Sequence, residues 1–169
     1  MEFVAATVVT AAVGSFLHFA YELSGEVFVI GLVAPVNESV FEHLKLVWLP
    51  ITLWTLGGLF ILPASERATY LLAAMLAIFV AMCVVVIGYY SFHQLFGIES
   101  LAYDVSLYVV AMGIANALVI YAFGDLMPSV VLALLFFTAY MVLFPVLTVY
   151  PPHVEFFRDP ARDKYGMDS

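Results

Sequence analysis

The sequence predicts an all-α protein, a polytopic bundle of about five transmembrane helices. The chain of 169 residues is 65% hydrophobic and only 11% charged, whereas soluble domains carry about 45–50% apolar and about 25% charged residues. A soluble fold of this size could not bury so much apolar surface, so lipid is the expected solvent. In addition, five runs approach the roughly 20 apolar residues that cross a hydrocarbon core.

The five predicted spans lie at residues 3–21, 43–62, 68–95, 101–123 and 128–150. Helices are expected because every backbone polar group in lipid must be paired within the protein, and the alternating pattern of a membrane β-barrel is missing. Polar turns are predicted at residues 63–67, 96–100 and 124–128, with Pro128 opening the last helix. Residues 1–150 therefore form one transmembrane domain, and residues 151–169 form a C-terminal tail.

The connection between the first two spans contains an apolar run, residues 27–34, that is too short to cross a membrane. We predict that residues 23–36 form a short interfacial or re-entrant segment. Irregular backbone at membrane depth is tolerated only against protein or a water-filled cavity. This segment is therefore expected to lead the charged stretch that follows it towards the protein interior.

The basic residues predict the orientation of a multi-pass protein of the cell membrane. Arg158, Arg162 and Lys164 share a predicted side with Lys45, and Arg67 lies opposite. The N-terminus is therefore expected outside and the tail in the cytoplasm. Membrane lipid is the expected partner, and a homo-oligomer is left open. The net charge of −8 argues against nucleic acid, because no basic patch is available to neutralise phosphates.

The charged stretch at residues 35–45 has a structural interpretation. Asn37 or Ser39 can cap the start of a helix, and Ser39 with Glu42 has the spacing of a capping box. Glu42 and Lys45 stand three residues apart and can form an ion pair on one helix face. On this interpretation the stretch is a well-capped helix start.

Topology adds a functional interpretation, because four predicted helix ends meet in one half of the membrane. The first and third spans end on the side where the second and fourth begin. Ionisable groups in spans cost several kcal/mol unless they are paired or hydrated. The groups expected to converge there are His18, Glu22, Glu38, Glu42, His43, His93 and Asp104.

Imidazole and carboxylate groups suit zinc or another divalent first-row metal. The predicted metal ligands are His18, Glu22, His43 and His93. The predicted catalytic residues are Glu38, Ser39, Glu42 and Asp104, with a carboxylate as the base for a polarised water and Ser39 orienting the substrate. The favoured function is a membrane-embedded, metal-dependent hydrolase acting on a lipid or other amphiphile.

Two alternatives remain open. The same carboxylates suit a proton- or cation-coupled small transporter or channel, and a non-catalytic membrane scaffold needs the cluster only for structure. In structural interpretations, His93 lies in an aromatic belt at the membrane boundary, Asp104 caps the fourth helix and Asn116 forms an interhelical hydrogen bond. The tail either extends in the interface or folds back over the charged cluster.

Three segments resemble a family of small bacterial and archaeal integral membrane proteins of unknown function. They are residues 14–22, the stretch P-V-N-E-S-x-x-E-H-L-K at 35–45, and the tail motifs at 150–152, 157–160 and 165–166. The resemblance covers most of the chain and implies a polytopic protein of similar length, without an activity. His93 departs from the family pattern, whereas Asp104 fits it.

A looser similarity concerns Ser39 and His43, whose S-x-x-x-H spacing resembles that of membrane hydrolases of the alkaline ceramidase superfamily. Their zinc site pairs such a helix with further histidines and an aspartate. The present chain departs from that pattern because it has fewer predicted spans and no H-x-x-x-H in a late helix. The similarity is one of chemistry only.

Overall fold

A computed structural model describes residues 2–97, 100–121 and 126–167, apart from the side chain of Gln94. Five of its helices are long and apolar enough, by length and composition, to cross a membrane, which confirms the predicted class. The elements are α1 (Glu2–Leu23), α2 (Phe28–Gly31), α3 (Val40–His43), α4 (Lys45–Ile61), α5 (Ala64–Phe96), α6 (Leu101–Tyr121), α7 (Val130–Val149), a 3-10 turn (Glu155–Phe157), β1 (Arg158–Asp159) and β2 (Lys164–Tyr165). Helices α3 and α4 together make the second span, Val40–Ile61.

Helices α5 and α7 do not start at the predicted residues 68 and 128. Helix α5 begins directly after Pro63, so most of the predicted turn at 63–67 is its first turn, with Glu66 near the positive end of the helix dipole. Helix α7 begins at Val130 and not at Pro128, because Ser129 is the cap whose hydroxyl accepts the N–H of Leu132. The predicted turns at 96–100 and 124–128 include residues 98–99 and 124–125, and the predicted fourth span includes 122–123; all of these lie outside the described residues.

The segment after α1 turns back instead of crossing the bundle. Gly25 adopts a positive φ of 75° and reverses the chain, and α2 adds a single helical turn. Phe28 and Val29 are exposed, whereas Gly31 and Ala34 are buried. The segment therefore turns one face outward and packs its end against the protein, at the end of the bundle where α3 begins.

Helix α5 lies at the centre of the bundle, against α4, α6 and α7, and α1 packs on α4 and α6. Small buried residues on α5 and α6 allow this close approach: Ala74, Ala77, Ala81, Ala111 and Ala115. Asn116 of α6 donates from its side-chain nitrogen to the hydroxyl of Thr10 in α1 at 3.1 Å, which confirms the predicted interhelical hydrogen bond.

Gly14 marks the tightest approach between α1 and its neighbours. The hydroxyl of Tyr108 in α6 donates to the carbonyl oxygen of Ala11 at 3.1 Å and lies 3.4 Å from that of Leu46. A Cβ atom at Gly14 would collide with both the Tyr108 hydroxyl and the Leu46 carbonyl.

Gly14→Ala is therefore expected to lower the free energy of unfolding by about 1–3 kcal/mol, because the overpacked helices must separate. Thermal unfolding in detergent measures the effect. Gly113→Ala in α6 is the control, since a Cβ there meets nothing within 4 Å. Equal melting temperatures for the two variants would contradict this account of the packing.

The C-terminal tail folds back onto the bundle, which is the second of its two predicted arrangements. Phe157 is buried against Phe41, with ring centroids 4.6 Å apart. The side-chain amide of Asn37 donates to the carbonyl oxygen of Gly166 at 3.0 Å. Strands β1 and β2 pair antiparallel, and the Asp159 carboxylate accepts the N–H of Ala161 at 2.8 Å within their turn. The tail is therefore a small folded cap on the end that carries the charged stretch.

Candidate metal centre

Three predicted site residues converge at the end of the bundle under this cap. His18, Glu38 and His43 each offer one ligand atom, and these atoms all lie within 4.8 Å of one another. The Nε2 atom of His43 is 3.4 Å from one Glu38 oxygen, and the Nε2 atom of His18 is 3.9 Å from the other. Two imidazoles and one carboxylate are a donor set that zinc accepts in proteins.

The local sequence places two of these ligands through one helix start. Ser39 is the N-cap of α3, and its hydroxyl accepts the N–H of Glu42 at 3.3 Å. The side-chain oxygen of Asn37 accepts the N–H of Ser39 at 2.9 Å. Glu38 therefore precedes the helix on a fixed turn, and His43 follows Ser39 by one helical turn.

Hydrogen bonding orients the His43 ring. Its Nδ1 atom lies 2.9 Å from the carbonyl oxygen of Ser39. A carbonyl only accepts, so Nδ1 carries a hydrogen, and Nε2 is the ring nitrogen that faces Glu38. Metal-ligating histidines are commonly held in this way. In His18, the buried Nδ1 atom has no hydrogen-bond partner among the described residues.

The three residues line a cavity of about 410 Å³ between α1, α4, α5 and α6. His93 of α5 and Asp104 of α6 line the same cavity and lie 3.5 Å apart, Nε2 to Oδ1. Apolar side chains complete much of the lining, among them Leu46, Val85, Leu101 and Leu107, and the tail adds Pro160 and Ala161. The cavity thus joins polar groups to an apolar wall.

Comparison with known proteins gives a family and no activity. Residues 3–167 match the family of unknown function DUF6512. The chain belongs to this family. No curated protein and no solved structure matches it. The expected membership in a family of unknown function is confirmed, and the chemistry of this DUF6512 site must be argued from its residues.

Glu42 lies outside the cavity, in a buried ion pair with Lys45. The Nζ atom of Lys45 is 2.7 Å from a Glu42 oxygen, and both side chains are almost fully buried, which confirms the pair predicted from their spacing. Lys45 also donates to the carbonyl oxygens of Gly31 and Ala34, at 2.7 and 3.1 Å. Glu42 also accepts the hydroxyl of Thr148 at 2.9 Å. With these partners, Glu42 is held in the protein interior and is not among the residues that line the cavity.

The burial of Lys45 also affects the orientation argument. A lysine that is buried in an ion pair inside the protein does not count towards the positive-inside rule. The orientation therefore stays a prediction that rests on Arg158, Arg162 and Lys164 against Arg67.

Two further predicted residues lie away from the group formed by His18, Glu38 and His43. Glu22 is exposed and lies 3.6 Å from Arg162 of the tail, on the rim of a second, smaller depression. Ser39 is buried, and its hydroxyl is engaged as the helix cap. Among the predicted site residues, the cavity is lined by His18, Glu38, His43, His93 and Asp104.

His93 and Asp104 both line the cavity. Ser100 accepts the N–H of Tyr103 at 3.3 Å in the first turn of α6, so Asp104 is free of that capping role. The His93 ring lies against Tyr89, with centroids 4.1 Å apart, and both residues line the cavity in this DUF6512 chain.

Sequence reasoning missed the residues that join distant segments. Thr148 is 106 positions from Glu42, and no spacing rule links them. Pro160 and Ala161 reach the cavity only because the tail folds back, although Pro160 lies in one of the tail motifs.

Proposed function

We propose that this protein is a membrane-embedded, metal-dependent hydrolase of a lipid or other amphiphile. His18, Glu38 and His43 hold zinc or another divalent first-row metal. The observation that carries the proposal is the convergence of these three ligand groups on a cavity whose remaining wall is largely apolar. Three protein ligands leave a fourth position for water, as in catalytic zinc sites.

The chemistry is the addition of water to an ester or amide carbonyl. A divalent ion held by these three residues would supply a bound water whose pKa is lowered to near neutrality. The water oxygen bonds to the carbonyl carbon, the bond to the alcohol or amine breaks, and the leaving group takes one proton from the water. His93 and Asp104 line the same cavity and form a proton-exchanging pair for that transfer.

The apolar wall supports an amphiphile as substrate. Leu46, Val85 and Leu107 lie on three different helices and line the space beside the polar groups. Burial of an acyl chain against such a wall lowers the free energy of binding. A small hydrophilic substrate would leave the apolar wall exposed to water.

Metal removal and restoration test the proposal. Protein purified in detergent, stripped with a chelator and reloaded with zinc is expected to bind about one ion per chain. It should hydrolyse a monoacyl ester in mixed micelles only in the loaded form. Glu66→Gln, at an exposed site at the start of α5, is the control and should change neither result.

The outcome separates the alternatives. Two outcomes would contradict the proposed hydrolase. In one, the stripped protein hydrolyses the ester as fast as the loaded protein; in the other, the chain binds no stoichiometric metal. Cation flux into proteoliposomes that is lost in Asp104→Asn would then favour the transporter or channel. Stability changes without flux or turnover would favour the scaffold.

A further inference from the structure

We propose that the cavity selects an amphiphile with an uncharged, hydroxyl-bearing head, and that Asp104 excludes anionic heads. This inference rests on the proposed function and names its substrate class. It starts from the charges that line the cavity. Two carboxylates, Glu38 and Asp104, are among the lining residues, and no Lys or Arg is.

All Lys and Arg side chains of the protein are accounted for elsewhere. The chain has only five Lys and Arg residues, and the structure describes each of them. Lys45 is buried against Glu42, and Arg162 is paired with Glu22. Arg158 binds Glu155 and Asp163, Arg67 caps the end of α4 through Leu62, and Lys164 lies on the second depression. Phosphate heads are normally bound by such side chains, so this cavity lacks their usual partners.

A helix N-terminus is the other common anion site, and the first turn of α6 beside this cavity carries a negative side chain, Asp104. Asp104 lies in the first turn of α6, where the helix dipole is positive and would attract an anion. The carboxylate neutralises that position and repels a second negative group. A repulsive contact of this kind discriminates between ligands as effectively as a favourable contact.

A divalent ion held at the site would not reverse this balance. A divalent ion adds two positive charges, Glu38 offsets one of them, and Asp104 offsets the other. The loaded cavity is then close to neutral, which suits an uncharged head.

Asp104 also offers a favourable contact to an uncharged head. Its side chain is 37% exposed, and only one of its oxygens is paired with His93. A carboxylate has about four acceptor sites, so it can accept hydrogen bonds from hydroxyl groups of the head. The acyl chain then lies along Leu101 and Leu107 of the same helix, α6. A monoacylglycerol has this combination of head and chain.

A matched pair of substrates tests the inference. Monooleoylglycerol and its 3-phosphate carry the same ester and chain and differ only in the phosphate. In neutral detergent micelles, zinc-loaded protein is expected to show a kcat/KM at least about tenfold higher for the uncharged ester, or about 1.4 kcal/mol of discrimination. Asp104→Asn should reduce this preference to about threefold or less, and Glu66→Gln should leave it unchanged.

Binding of non-hydrolysable ether analogues, measured by calorimetry, reports the same preference without turnover. If loaded protein hydrolyses neither ester but its binding still prefers the uncharged ether, the hydrolase fails and the head selectivity stands. Equal or stronger turnover or binding of the phosphate form by wild-type protein overturns the selectivity. A folded Asp104→Asn variant that keeps the full preference overturns the role of Asp104.

Discussion

Lys45→Met is expected to lower the free energy of unfolding by about 3–5 kcal/mol. Removing one partner of a buried ion pair leaves the other charge uncompensated. Here the Glu42 carboxylate would remain almost fully buried without its cation, and the carbonyl oxygens of Gly31 and Ala34 would lose their donor. The connection after α1 and the start of α3 should loosen together.

Thermal unfolding and SDS titration of purified protein measure this loss. Lys164→Met is the matched control, because Lys164 is exposed on β2 and its loss should change stability little. The double variant Glu42→Gln with Lys45→Met should recover part of the loss, since no unpaired charge remains. If Lys45→Met and Lys164→Met unfold alike, the buried pair does not stabilise the fold.

His43→Ala is expected to weaken zinc binding by on the order of a hundredfold or more. Loss of a residue that only orients a metal ligand costs about 10–100-fold in affinity, and His43 would itself be the ligand. His18→Ala should have a similar effect, because each imidazole supplies one of the three converging ligand atoms.

Competition with a zinc-binding dye measures these affinities. His93→Ala is the informative control: His93 lines the same cavity but stands outside the group of three ligands. Its loss should leave zinc affinity within a few-fold of wild type. If His93→Ala and His43→Ala lose equal zinc affinity, His93 is also a ligand, as the sequence predicts. If His43→Ala keeps the wild-type affinity, the proposed metal site is wrong.

The sequence predicted correctly that ionisable side chains gather at one end of the bundle, but it did not predict which of them meet the two histidines. Glu38 and Glu42 stand four residues apart, which suggests one helix face. However, α3 begins at Val40, so Glu38 precedes the helix and the spacing rule does not apply to it. Glu38 therefore turns towards the histidines, whereas Glu42 turns inward to Lys45. The residue at which α3 begins therefore decides which carboxylate faces the two histidines.

His18 and Glu22 give a second example. Both lie on α1 at helical spacing, and the sequence assigned both to the metal. His18 lines the cavity, whereas Glu22 is drawn towards Arg162 of the tail. A spacing rule describes one helix, and it contains no information about a tail 140 residues further along the chain.

The sequence by itself determined the five apolar helices, the cap at Ser39, the Glu42–Lys45 pair and the end of the bundle where ionisable groups gather. These follow from hydropathy and from spacings of a few residues, which are local properties. Only the tertiary structure decided that Thr148 holds Glu42, that the tail folds over the cavity, and that His18, Glu38 and His43 come within 4.8 Å of one another. Those contacts depend on helix packing and on the exact residue at which each helix begins, and no local rule sets either.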